Sequence, residues 1–270
     1  MRKPDLIAHR GYAARYPENT LQALEAAVAA GARFVEVDVQ LSADGVPVLF
    51  HDRSLKRVCA VRGKVHRRGI AYLAALSAFE PGRFGQRFAG TPMATLAQFR
   101  GFLQANPGVV GFVEAKPAAV RHFGRERVLD AIAAELEPVK GQCVLISSML
   151  LLLLDAADRS RGAARRLGWH AVGAVLSRWR QRHACSALCP EYLFCAIDGL
   201  PRTGEIRFQE ARVAVYEVGS AGIALDLHRR GVDMIETFAI GELRRELEEH
   251  AGLPPGQNRH LAACEGANPD

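Results

Sequence analysis

Long apolar runs are missing from this 270-residue sequence: Met149–Leu154 is six residues, far short of the ~20 that a bilayer core requires. The start, Met-Arg-Lys-Pro-Asp-Leu-Ile-Ala-His, is too short an apolar stretch for a secretory signal. A cytoplasmic location is therefore expected. Lysine is scarce, with five among 35 basic residues, so a Lys at a strand end stands out. Aromatics make up only 7% of the chain and rarely interleave with the scattered basic residues, so the net charge of +6 does not indicate a nucleic-acid module. It suits an anionic substrate better. Neither Gly-x-Gly-x-x-Gly nor Gly-x4-Gly-Lys-Ser/Thr follows the first strand, which argues against a nucleotide-binding open sheet. The six cysteines are irregularly spaced. Cys185, Cys189 and Cys195 lie near His183, but their spacing fits neither a zinc site nor a redox Cys-x-x-Cys. Free thiols are expected.

What is present is a 49% apolar chain, rich enough for a packed core. Strand-like and helix-like patterns alternate along it. Leu6-Ile7-Ala8 reads as a buried strand and Asn19–Ala30 as a helix capped by Asn19 or Thr20 and closed at Gly31. Arg33–Leu41 alternates as a strand and, after an Asp44-Gly45 turn, pairs with Val46–Phe50. Residues 53–92 break the rhythm and read as a basic insertion with a short helix near Leu73–Ala78. Helices follow at Leu96–Gln104, Arg125–Glu137 and Leu150–Ala157, with strands at Val109–Glu114 and Cys143–Ile146. Further strands are expected near 164–167, 193–197, 212–218 and 232–236, with helices near 171–183, 221–230 and 241–249. The repeated units predict an α/β fold, a (β/α)8 TIM-type barrel over residues 1–253 with an insertion after the second strand region. Residues 254–270 read as a disordered tail.

Three strand ends carry polar residues that a purely structural reading finds awkward. They are His9-Arg10-Gly11; Glu36-Val37-Asp38 with His51-Asp52 after the hairpin; and Glu114-Ala115-Lys116. Residues i and i+2 of a strand share a face, so Glu36 sits beside Asp38, and Glu114 beside Lys116. Taken singly, such pairs are usually solvated; gathered at successive strand ends they meet at the barrel's C-terminal mouth, where sites in this architecture sit. Buried carboxylates repel unless a cation lies between them. Oxygen-only ligands suit Mg²⁺ or Ca²⁺. Two histidines offer acid and base, and Arg10 and Lys116 offer positive charge to a phosphate. The other histidines (His66, His122, His170, His183, His228, His250, His260) read as structural or surface residues.

His9-Arg10-Gly11, Pro17-Glu18-Asn19-Thr20, Glu36-Val37-Asp38-Val39, Asp44-Gly45-Val46-Pro47-Val48, His51-Asp52 and Glu114-Ala115-Lys116, in this order over residues 5–116, resemble the glycerophosphodiester phosphodiesterase family. The resemblance implies metal-dependent hydrolysis of small-molecule glycerophosphodiesters to glycerol 3-phosphate and an alcohol. By it, Glu36, Asp38 and Glu114 hold one divalent cation, and His9 and His51 are the acid/base pair. Arg10 and Lys116 bind phosphate, and Asp52 orients His51. Two alternatives remain: lysophospholipase D-like hydrolysis, with Tyr72, Leu73, Leu76, Phe79, Phe84 and Phe88 offering an apolar surface, and a catalytically silent phosphate-binding barrel. Two departures stand out: Tyr216-Glu217-Val218-Gly219 replaces the family's usual Trp-Thr-Val-Asn, and Thr237-Phe238 replaces Thr-Asp. Neither is expected to touch the metal or acid/base residues.

Overall fold

The computed structural model describes residues 3–161 and 171–252. In chain order these form β1 (Asp5–Ala8), α1 (Leu21–Ala29), β2 (Phe34–Leu41), β3 (Pro47–Leu49), α2 (Lys56–Cys59), α3 (Ile70–Ala74), α4 (Pro81–Phe84), α5 (Leu96–Ala105), β4 (Val110–Ala115), α6 (Pro117–Phe123), α7 (Arg125–Leu136), β5 (Cys143–Ser147), α8 (Leu150–Arg161), β6 (Ala171–Leu176), β7 (Tyr192–Ala196), β8 (Arg212–Tyr216), α9 (Ala221–Arg229), β9 (Met234–Thr237) and α10 (Ile240–Gly252). Eight parallel strands follow the order β1-β9-β8-β7-β6-β5-β4-β2, and β1 pairs with β2 to close the cylinder. The short β3 runs antiparallel along the end of β2. This is the expected (β/α)8 barrel.

Each strand feeds two cores because its side chains alternate. Val35, Val37 and Val39 of β2 and Val113 and Ala115 of β4 point outward and pack with Phe99, Leu103 and Leu129 of the helical layer. The opposite faces fill the barrel with Ile7, Phe112, Val144, Ile146, Phe194, Ala214 and Met234. Helix starts are fixed locally. Thr20 Oγ1 accepts from Ala23 N at 3.2 Å to open α1, and Thr95 and Gln98 form a reciprocal capping box on α5. Of the two N-cap candidates for α1, Thr20 is the one used; Asn19 has another task, described below.

Two readings of the sequence need correcting. The segment near 171–183 is not a helix: Ala171–Leu176 is a parallel strand between β5 and β7, followed by a 3-10 turn over Trp179–Cys185. Its run Ala-Val-Gly-Ala-Val-Leu carries no polar side to mark a helix face, and buried parallel strands look the same. The insertion's helix lies at Ile70–Ala74 rather than Leu73–Ala78, and 53–92 also contains α2, α4 and a 3-10 turn at Val65–Arg67. The insertion has its own small core of Leu55, Val58, Val65, Leu73 and Ala78 against Val48 and Phe50. The strand expected near 164–167 and the tail 254–270 lie outside the described residues. Among the described cysteines all five are free, and Cys189 alone is exposed. Burial pushes the Cys143 and Cys195 thiols up to about 12, so they are inert apolar groups. No described helix is long and apolar enough to cross a membrane.

Candidate active site

Along four of the inward strand faces, the side chains change from apolar to ionisable within two residues. Ile7 is followed by His9, Phe34 by Glu36 and Asp38, Phe112 by Glu114, and Met234 by Glu236. The register sets these groups level, with Asp38 opposite Glu114 and Ile7 opposite Glu236. His9, Glu36, Asp38 and Glu236 are all buried. The polar ring therefore caps the apolar plug at the C-terminal mouth. His9, Arg10, Glu36, His51, Glu114, Lys116 and Glu236 line one cavity of about 740 Å³, and Asp38 lies beneath it with no exposed surface.

Asp38 is the hub of the ring. Its Oδ2 accepts from Asn19 Nδ2 at 2.8 Å, and its backbone N–H donates to Asn19 Oδ1 at 3.0 Å. Arg10 Nε lies 3.0 Å from Oδ2 and Lys116 Nζ 3.0 Å from Oδ1. Both ion pairs lie off hydrogen-bond alignment, so Arg10 Nε and Asp38 Oδ1 have no well-aligned partner. Burial opposes ionisation, but Lys116 and then Arg10 outweigh it and hold the Asp38 carboxyl well below the usual range. Lys116 Nζ also donates to Glu114 Oε2 at 2.9 Å. Glu36 is treated differently. Burial, then the charges of Asp38, Glu236 and Glu114, push its carboxyl well above the usual range, and its Oε2 accepts from Arg10 N at 3.1 Å.

The two histidines have unlike settings. His51 follows β3, held by Gln40, whose Nε2 donates to the carbonyls of Phe50 and Asp52 at 3.0 and 2.6 Å. Its Nδ1 lies 2.9 Å from Asp52 Oδ1. Asp52 is kept ionised, first by its bond to His51, against burial, and then by Arg57. An ionised carboxylate only accepts, so the His51 proton belongs on Nδ1 and Nε2 is left for a substrate. His9 is buried in the ring, with Nε2 3.6 Å from Glu36 and Nδ1 3.1 Å from Glu217. The Glu217 contact is also off alignment, so Nδ1 counts as unpartnered. Burial lowers the His9 pKa, but Glu236 and Glu217 raise it further, for a net rise.

Contrary to the expectation from sequence, both departures touch His9. Glu217 faces Nδ1, and the Phe238 ring stacks on the imidazole with centroids 4.7 Å apart and planes 7° apart. Both residues follow strands adjacent to β1 or one strand away, and their spatial position is invisible in a motif. Sequence reasoning also passed over Glu236, although Met234-Ile235-Glu236 carries near a strand end an acid on the same face as an apolar residue, as Phe112-Val113-Glu114 does. Asn19, Glu18 and Arg57 were missed as partners because their bonds span loops.

An oxygen-only donor set fits a hard divalent cation. Glu36, Asp38 and Glu114 each offer a ligand oxygen, all within 4.8 Å of one another, and His9, Glu36 and Glu236 form a second close group that mixes an imidazole nitrogen with two carboxylates. Glu36 Oε1 and Glu236 Oε1 are buried without a hydrogen-bond partner, and Asp38 Oδ1 meets only the Lys116 ammonium, off hydrogen-bond alignment. Unpartnered acceptors such as the two glutamate oxygens are costly unless a cation takes them.

A sequence model described as the Glycerophosphoryl diester phosphodiesterase family matches residues 9–194. The chain is 34% identical over 128 residues to a glycerophosphodiester phosphodiesterase of Caldanaerobacter subterraneus, a stretch that covers 47% of this chain and 51% of that protein. The match thus spans about half the length of this curated relative. An Oleispira antarctica phosphodiesterase solved with the product sn-glycerol-3-phosphate superposes with a TM-score of 0.75 at 23% identity, over 91% of this chain and 97% of the other. A glycerophosphodiester phosphodiesterase from Thermotoga maritima gives 0.65 at 23% identity, over 92% and 99%. At these identities the solved structures bear on the fold.

Proposed function

Since the chain belongs to the glycerophosphoryl diester phosphodiesterase family, we propose that it hydrolyses glycerophosphodiesters to glycerol 3-phosphate and an alcohol. One observation carries this reading. Three carboxylates from two strands bring ligand atoms within 4.8 Å of one another at the floor of a cavity that His9, His51, Arg10 and Lys116 also line. A silent barrel would not need to keep every one of these groups together. The product found in the Oleispira antarctica relative supports the same substrate class.

Glu36, Asp38 and Glu114 are the residues that would hold Mg²⁺ or Ca²⁺, and such an ion, when bound, polarises a phosphoryl oxygen. Arg10 and Lys116 bind the non-bridging phosphate oxygens. His51, with Nδ1 committed to Asp52, takes through Nε2 the proton of the glycerol hydroxyl next to the phosphate. That oxygen bonds to phosphorus, the P–O bond to the alcohol breaks, and His9 donates its proton to the departing alkoxide. The product of this step is a cyclic phosphate. In the second step the neutral His9 takes a proton from water, whose oxygen attacks phosphorus and opens the ring, and His51 returns its proton to the glycerol oxygen. The raised pKa of His9 and the acceptor-only partner of His51 support this division of roles.

The test is glycerol 3-phosphate release from a panel of glycerophosphodiesters. Turnover is expected with Mg²⁺ or Ca²⁺, loss with chelator, and recovery on re-addition; rates indifferent to EDTA would refute the cation's part. A second reading has one observation in its favour. Part of the cavity wall is apolar, formed by Ile146, Leu150, Leu153, Leu176, Cys185 and Phe194, rather than by the apolar residues of the insertion, of which Leu73 and Phe88 are buried. That wall suits an aliphatic chain, so lysophosphatidylcholine belongs in the panel beside glycerophosphocholine.

A further inference from the structure

Arg57 touches neither the cavity nor the carboxylate ring, yet it joins the loop after β1 to the loop after β3, and each of these carries a residue that lines the cavity. Its Nε and Nη2 donate to Asp52 Oδ2 and Oδ1 at 2.8 and 2.9 Å. Its Nη2 and Nη1 donate to Glu18 Oε1 and Oε2 at 2.6 and 2.9 Å. One guanidinium thus forks onto two carboxylates at once. Each carboxylate passes the constraint on. Asp52 Oδ1 also faces His51 Nδ1, and Glu18 Oε2 accepts from Arg10 Nη1 at 3.2 Å.

The surroundings make Arg57 the keystone of this bracket. Glu18 is only 5% exposed. Its backbone N–H donates to Glu80 Oε1, and Arg83 Nη1 donates to Glu80 Oε2 at 2.6 Å. Arg57 and Arg83 are the insertion's basic answer to the buried acids Glu18 and Glu80. Without Arg57, Asp52 keeps only His51 and Glu18 only Arg10, and neither carboxylate has a fixed plane. A planar five-donor fork can set both planes, whereas an ammonium supplies charge without direction.

We propose that Arg57, contributed by the insertion, is a positioning residue that fixes the direction of the His51 imidazole through Asp52 and the Arg10 guanidinium through Glu18. The kinetic part of this rests on the phosphodiesterase reading above; the structural part does not. The insertion is then the clamp that aligns the base with the phosphate-binding arginine.

The test uses the full chain and the variants Arg57→Ala, Arg57→Lys, Asp52→Ala and the double variant Arg57→Ala/Asp52→Ala. Outer-shell partners of this kind are typically worth about 10–100-fold in activity. A kcat loss of that size is expected for Arg57→Ala with KM changed less than about threefold, and Arg57→Lys is expected to recover only a minor part. Residues that act through one another are not additive, so the double variant should lose clearly less than the product of the two single losses, and its excess over Asp52→Ala alone reports the arm through Glu18 to Arg10. Full additivity, or Arg57→Ala with kcat within about twofold of the parent, overturns the proposal. A second readout does not use turnover: ¹⁵N imidazole shifts of His51 should report a Nδ1–H tautomer in the parent and a mixture in Arg57→Ala. If the parent releases no glycerol 3-phosphate, the functional reading fails and these shifts alone decide the role of Arg57. Unchanged shifts in the variant then overturn it.

Discussion

Glu236 shows how much of the site's chemistry resides in single buried groups. Burial, opposed by His9 and reinforced by Glu114, pushes its carboxyl up to about 7. Its ordinary value is near 4.3, so the folded protein without a cation holds Glu236 protonated where the unfolded chain has already ionised. Such a group is neutral in its effect below pH ~4 and increasingly destabilising as pH rises towards 7, where the penalty levels off. Glu236→Gln removes the ionisation while keeping the shape. Chelator-treated Glu236→Gln is therefore expected to melt higher than the parent at pH 8, with little difference at pH 4.5. An equal difference at both pH values would mean that the variant acts through packing and not through the charge. Legibility from sequence also divides at this scale. Glu36, Asp38, Glu114 and Lys116 were readable because the strand period of two turns a linear pattern into a shared face, and His9 and His51 because they stand at strand ends within a recognisable motif. Glu217, Phe238 and Arg57 were not, since their partners lie across loops whose closure no local period encodes.

At the scale of elements, the barrel was legible where a strand alternates towards two different environments or a helix carries a cap. β2 and α1 are of that kind. It was illegible at β6, where every neighbour is apolar and a buried strand shows no period of its own. The turn between β1 and α1 is where element geometry reaches the site. Arg10 and Asn19 both sit at a φ of 58° and Gly11 at 81°. A Cβ on Gly11 would stand 2.7 Å from the Ala23 carbonyl carbon and 2.8 Å from its oxygen, both backbone atoms of α1. Gly11→Ala thus combines an unfavourable left-handed residue with overpacking against a helix that has no room to move, about 2–4 kcal/mol in total. Because Arg10 precedes it, activity should fall further than the lost stability explains. Gly222→Ala is the contrasting case. That glycine is exposed in α9, with Ser220 Oγ at 3.8 Å as its nearest neighbour, and alanine there should stabilise by about 0.5–1 kcal/mol. Urea unfolding of both variants checks the two signs together.

The whole molecule is electrically lopsided. Residues 53–92 hold nine Lys and Arg against the single acid Glu80, a local excess of +8 that exceeds the chain's total of +6, so the rest of the protein is slightly acidic. Arg57 and Arg83 are spent on Glu18 and Glu80. Arg53, Lys56, Arg62, Arg67, Arg68 and Arg87 are exposed. Since His51-Asp52 leads directly into this segment, the positive field rises beside the cavity mouth. A field of this kind concentrates anionic ligands and speeds their arrival, and salt screens it. Raising ionic strength from about 0.01 M to 0.15 M shortens the screening length from ~30 Å to ~8 Å. Over that range kcat/KM is expected to fall severalfold for the anionic glycerophosphoglycerol and to change little for the zwitterionic glycerophosphocholine, while kcat holds for both. An Arg53→Gln/Arg62→Gln/Arg67→Gln variant should flatten the first slope and leave the second alone. Equal slopes for the two diesters would mean that salt acts on the carboxylate ring itself, and the insertion's charge would then have no part in substrate capture.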